Sequence, residues 1–73
     1  MDKPVAIITA GSGAIGGATA RILAARGYDL VLLSAGGGAV RLASELGAVG
    51  MTGSVTDPAA LRAVVDRALA IRD

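Results

Sequence analysis

Thr9-Ala10-Gly11-Ser12-Gly13-Ala14-Ile15-Gly16 stands between a run of β-formers, Val5-Ala6-Ile7-Ile8, and a helix-like run that ends near Arg26. Gly11, Gly13 and Gly16 give the spacing Gly-x-Gly-x-x-Gly, and a strand before and a helix after are what give that spacing meaning. The chemistry accounts for the residue type. A pyrophosphate needs backbone N–H donors at close range, and a helix N-terminus offers unpaired N–H groups together with the positive end of its dipole. A side chain at the second glycine would hold the phosphate away, and one at the third would push the helix off the strand. The plainer alternative is a tight turn that uses glycine for positive φ. The flanking strand and helix favour the phosphate cradle, with Thr9, Gly11, Ser12, Gly13, Ala14, Ile15 and Gly16 as its candidate residues.

Working outward, Pro4 precedes the first strand, Val5 to Thr9, which is apolar on both faces as buried parallel strands are. The first helix is expected over about 14–26. Ile15, Ala18, Ile22 and Ala25 recur at helical spacing and should face the sheet, leaving Arg21 and Arg26 towards solvent. Gly27 suits a left-handed C-cap. The second strand is Asp29 to Leu33 with Ser34 at its end, followed by Gly36-Gly37-Gly38. A second helix over 39–46, stopped by Gly47, carries the stripe Val40, Ala43 and Leu46, with Arg41 and Glu45 as a solvated pair. A third strand, about 48–52, leads into the loop Gly53-Ser54-Val55-Thr56. Asp57 as N-cap and Pro58 at the first helical position then open a helix to about Ile71. Asp57 therefore reads as a cap and not as a catalytic carboxylate. Leu61, Val64, Val65, Ala68 and Ile71 are spaced as one face of this helix, with Arg62 and Asp66 on the other. The order βαβαβα predicts an α/β fold: a three-stranded parallel sheet with three helices, the Rossmann-like half of a doubly wound domain.

Composition narrows the function classes. A chain of 73 residues fits one small domain or part of a larger one. It has no Cys and no His, which removes disulfides, thiolate metal sites, the commonest zinc ligand and the commonest general base. A net charge of +1 gives no field for nucleic acid or an anionic membrane. No apolar run approaches a membrane span, no signal peptide is read at the N-terminus, and a chain without Cys is compatible with the cytoplasm, the expected compartment.

Three features together resemble the start of a short-chain dehydrogenase/reductase: the loop from Thr9 to Gly16, the stretch Gly27-Tyr28-Asp29-Leu30-Val31-Leu32-Leu33, and Gly53-Ser54-Val55-Thr56-Asp57 before a helix. The resemblance covers nearly the whole chain and about the first third of a typical member. The family loop is usually Thr-Gly-x-x-x-Gly-x-Gly. Thr9 and Gly16 match it, while its other two glycines fall on Ala10 and Ala14. The family's Asp after the third strand, which contacts adenine, falls on Ser54, with Val55 beside it. Its Asn-Asn-Ala-Gly segment and its Tyr-x-x-x-Lys proton-transfer pair are absent. The sequence has no Asn, its Tyr28 is followed four residues later by Leu32, and its one Lys is Lys3. Tyr28 is expected to pack at the strand entrance.

The resemblance implies residues 1–73 as the N-terminal part of an NAD(P)-binding domain in an enzyme that moves hydride between a nicotinamide and a carbonyl or alcohol. The chain would supply the phosphate cradle and part of the adenosine pocket, and no catalytic residue. An NAD site usually carries Asp or Glu at the end of the second strand. Ser34, Ala35 and Gly36 offer none, so NADP is favoured over NAD, with Arg41 as the nearest cation. Two other readings stay open: a stand-alone nucleotide-binding or regulatory module, and an α/β fragment whose glycines serve turns alone. The first strand should lie at a sheet edge. Val31 and Leu33, or Leu30 and Leu32, should show on a half-covered face, and the chain should self-associate or pair with the rest of a domain.

Overall fold

The computed structural model describes residues 3–9 and 13–72. Six elements follow one another: β1 (Val5–Thr9), α1 (Ala14–Ala25), β2 (Asp29–Ser34), α2 (Gly38–Leu46), β3 (Val49–Thr52) and α3 (Pro58–Arg72). The strands form one parallel sheet in the order β1-β2-β3, with Thr9 level with Leu33 and Ser34 level with Thr52. This is the Rossmann-like βαβαβα half expected from the alternation.

Local chemistry sets the boundaries. α1 ends where Gly27 turns to φ 89°: its N–H donates to the Ala24 carbonyl and that of Tyr28 to the Leu23 carbonyl. α2 ends likewise at Gly47, φ 67°, with the Ala48 N–H donating to the Ala43 carbonyl at 2.8 Å. These left-handed caps satisfy carbonyls that the helix end would leave open. α3 begins as the Asp-Pro pair predicts, with Asp57 Oδ1 accepting from the Ala59 N–H at 3.0 Å.

Strand alternation divides the core in two. Leu30 and Leu32 pack with Ala20 of α1 and with Ala39, Leu42 and Ala43 of α2, and Tyr28 lies half-buried against this cluster. Val31 and Leu33 point to the other face, where Val64 and Ala68 of α3 cover them. All four apolar residues of β2 are buried, so the expected exposure of one pair does not occur. α3 crosses back over both β2 and β1 and closes that face.

All three helix faces differ in part from expectation. In α1, Ile15 is 85% exposed and Ile22 55% exposed, and Ala18 and Ala25 are exposed with them, while Ala20 is fully buried and Leu23 and Ala24 pack towards the sheet. The helix packs on the sheet through Ala20, Leu23 and Ala24 and leaves the stripe with both isoleucines outward. In α2, Ala39 and Leu42 are buried and Val40 is exposed, so the packed face is Ala39, Leu42, Ala43 and Leu46. In α3, Val64 and Ala68 are buried and Ile71 packs against them, whereas Leu61 and Val65 are exposed. Among the described residues, no helix is long and apolar enough to cross a membrane, and no cluster of His, Cys, Asp or Glu could hold a metal ion.

Candidate dinucleotide-binding site

Because the strands are parallel, Thr9, Ser34 and Thr52 all end at one edge of the sheet, and the loops that follow them gather there. Ala10, Gly11 and Ser12 lie outside the described residues. From Gly13 onward the loop enters α1. Gly13 is the N-cap, extended at φ −72° and ψ 168°, and no side chain among the described residues caps the helix. The first turn carries no acidic residue. The Gly17 N–H donates to the Gly13 carbonyl at 2.7 Å, which makes it the first helical bond. The N–H groups of Ala14, Ile15 and Gly16 precede it, at positions that have no partner within a helix. α3, by contrast, has its terminus closed by the Asp57 carboxylate. An anion therefore fits the α1 N-terminus, where open donors and the helix dipole act together.

Ser34 is buried at the base of this edge. Its Oγ donates to the Gly36 carbonyl at 2.9 Å and accepts from the Ala39 N–H at 2.9 Å, so it braces the turn between β2 and α2. Ala35 and Gly36 are exposed beyond it. A Cβ at Gly36 or Gly37 would meet nothing within 4 Å among the described residues, and neither residue is left-handed. None of the described residues requires glycine there. On the β3 side, the Gly53 N–H donates to the Ser34 carbonyl at 2.9 Å and ties that loop to β2. Ser54 is exposed, and its Oγ accepts from the Thr56 N–H at 3.1 Å and bonds the Thr56 hydroxyl at 2.7 Å. Val55 is exposed beside it.

An open cleft of about 460 Å³ runs between α1 and α2. Gly13, Ala14 and Gly17 line it from α1, and Gly38 and Arg41 from α2. Arg21 and Glu45 also line it, and they form an ion pair at 3.1 Å between Nη2 and Oε2. The sequence spacing pairs Glu45 with Arg41 along one helix, but Arg21 of the neighbouring helix takes the carboxylate instead. The signal for that arrangement is that α1 and α2 pack on the same face of the sheet, so their flanks meet.

No protein-family model and no curated protein matches the chain. Solved structures do. A short-chain dehydrogenase/reductase from Burkholderia phymatum, in complex with NAD, matches at a TM-score of 0.86 and 32% identity over 97% of this chain and 27% of that one. A bulky-bulky ketone specific alcohol dehydrogenase from Comamonas testosteroni matches at a TM-score of 0.67 and 28% identity over 92% of this chain and 31% of that one. In fold and in sequence the chain resembles the short-chain dehydrogenases/reductases, and it spans less than a third of the length of either of these two.

Proposed function

We propose that the chain is the dinucleotide-binding part of an NAD(P)-dependent oxidoreductase of the short-chain dehydrogenase/reductase type. The bare α1 N-terminus carries this reading: a glycine cap with no capping side chain and no acid in the first turn, placed directly after β1. The NAD in the Burkholderia phymatum structure supports the ligand class. In this reading Gly13 and Gly16 lie closest to the pyrophosphate, and Thr9, Gly11, Ser12, Ala14 and Ile15 complete the loop around it. Ser34 and Ala35 border the adenosine ribose, and Ser54 and Val55 wall the adenine. The bound nicotinamide supplies the hydride chemistry, and the chain's own residues bind and orient the dinucleotide. No residue of the chain is assigned a proton-transfer step. Hydride transfer with a carbonyl or alcohol belongs to the whole protein, in which the rest of the domain would pair with this part. A cytoplasmic setting fits a sequence without cysteine.

Titration with ADP-ribose tests the cradle. The parent chain should bind saturably. Gly13→Val should lose at least roughly tenfold in affinity, with the far-ultraviolet circular dichroism unchanged, because the side chain occupies the path of the phosphate. Equal affinity in the variant, or no binding by the parent, would sink the reading.

The same reading favours NADP over NAD. The end of β2 carries no carboxylate to grip a 2′-hydroxyl or repel a 2′-phosphate, and Arg41 lines the adjoining cleft. Competition between 2′-phospho-ADP-ribose and ADP-ribose should favour the phosphorylated ligand. A clear preference for ADP-ribose removes the NADP assignment and leaves the cradle standing.

A further inference from the structure

We infer that Arg21 is a second cation for the cofactor's 2′-phosphate, and that Glu45 is the counter-ion it gives up when that phosphate enters. The inference rests on the dinucleotide reading and extends it from Arg41 to a pair that the sequence does not connect with the site.

The cleft opens at the N-terminal ends of α1 and α2, where Gly13, Ala14 and Gly38 lie. At about 1.5 Å of rise per residue, Arg41 sits roughly one turn inside the mouth, and Arg21 and Glu45 lie roughly two turns in. Long side chains on a helix lean towards its N-terminal end, so a guanidinium released from its partner can extend towards the mouth. In the dinucleotide reading a ribose phosphate at the end of β2 would lie at this mouth, which small residues bound on the α1 side. Gly17 is one of them. Glycine within a helix is unfavourable, and at this position its bare side faces the cleft.

The cleft holds two guanidinium groups and one carboxylate. Arg41 has no ion-pair partner among the described residues, and Arg21 is occupied by Glu45. Both side chains of the pair are more than half exposed, at 59% and 56%, so the pair is weak and easily exchanged. A phosphate monoester carries nearly two negative charges at neutral pH and offers a guanidinium a bidentate partner. Arg21 therefore gains by exchanging the carboxylate for the phosphate. Glu45, left beside an incoming anion, opposes its binding, and this opposition sets the test.

Calorimetric titration of the chain with 2′-phospho-ADP-ribose and with ADP-ribose gives a ratio of affinities. Glu45→Gln should raise the ratio by roughly three- to tenfold, and Arg21→Gln should lower it by a similar factor. ADP-ribose affinity should stay within about twofold of the parent in both variants, since neither side chain meets the pyrophosphate, and added salt should erode both changes. A ratio unmoved in both variants, with ADP-ribose still bound, overturns the inference and leaves the dinucleotide reading intact. A ratio that falls in Glu45→Gln also overturns it, because Glu45 would then be holding Arg21 in place for the ligand. Failure of the parent chain to bind ADP-ribose removes the dinucleotide reading itself, and this inference with it.

Discussion

Gly50 and Gly36 are the same residue for opposite reasons. A Cβ at Gly50 would come within 2.6 Å of the Val40 Cα and 2.7 Å of the Ala39 carbonyl oxygen, both backbone atoms of α2. Backbone cannot swing aside as a side chain can, so G50A should cost about 1–3 kcal/mol and lower the thermal midpoint. At Gly36 the added methyl meets none of the described residues and the backbone is not left-handed. G36A should leave stability unchanged or raise it by up to about 1 kcal/mol through the unfolded state. It should still weaken ADP-ribose binding, if the bare turn is space for the ligand. Melting curves and titrations on both variants check the pair, and undiminished binding by G36A would show that the ligand does not use that space. The sequence marks both positions as glycine, but it gives no sign of which one α2 lies against. That contact is between consecutive elements and exists only once α2 has folded back against β3.

Element order was legible because its signals are local. The glycine after α1, the glycine after α2 and the Asp-Pro before α3 each act within a turn of their own position, and each does what its chemistry predicts. Helix faces were less legible. α1 carries two apolar stripes, one with Ile15 and Ile22 and one with Ala20, Leu23 and Ala24, and periodicity alone favours the bulkier. The stripe that packs on the sheet is the one without the isoleucines. The site divides in the same way: the bare α1 terminus follows from the glycine loop, whereas Arg21 beside Glu45 depends on two helices meeting. The caps also differ in worth. Asp57→Ala removes one exposed bond and should cost about 1 kcal/mol. Ser34→Ala leaves the Ala39 N–H without its partner in a buried turn, so it should cost about 1–3 kcal/mol. Urea unfolding of the two variants compares them, and an equal or smaller loss at Ser34 would mean that another acceptor takes over the Ala39 N–H.

At the scale of the molecule, the unpartnered surface gathers at one side. β1 pairs with β2 and with no other strand among the described residues, so its outer backbone groups are open. Ile7, in the middle of that strand, is 42% exposed. α1 and α3 both contact β1, from opposite faces. Each helix also shows a second apolar stripe: Ile15, Ile22 and their alanines on α1, and Leu61, Val65 and Leu69 at helical spacing on α3. The sequence places the exposed patch on β2. Instead α3 covers β2, and the patch falls to β1 and the outer flanks of both helices. An open strand with apolar residues on either side is a template for another chain. The 73-residue chain should therefore elute in size-exclusion with light scattering as species larger than a monomer. Ile7→Lys places a charge on the open strand and should shift that distribution towards monomer, because edge lysines oppose strand pairing. Supplying the rest of a short-chain dehydrogenase/reductase domain should have the same effect, since a further strand would occupy the same edge. A sharp monomer with a cooperative melt in the unaltered chain would contradict this. It would mean that the three helices suffice to seal the sheet, and it would turn the reading from part of an enzyme towards a self-sufficient nucleotide-binding module.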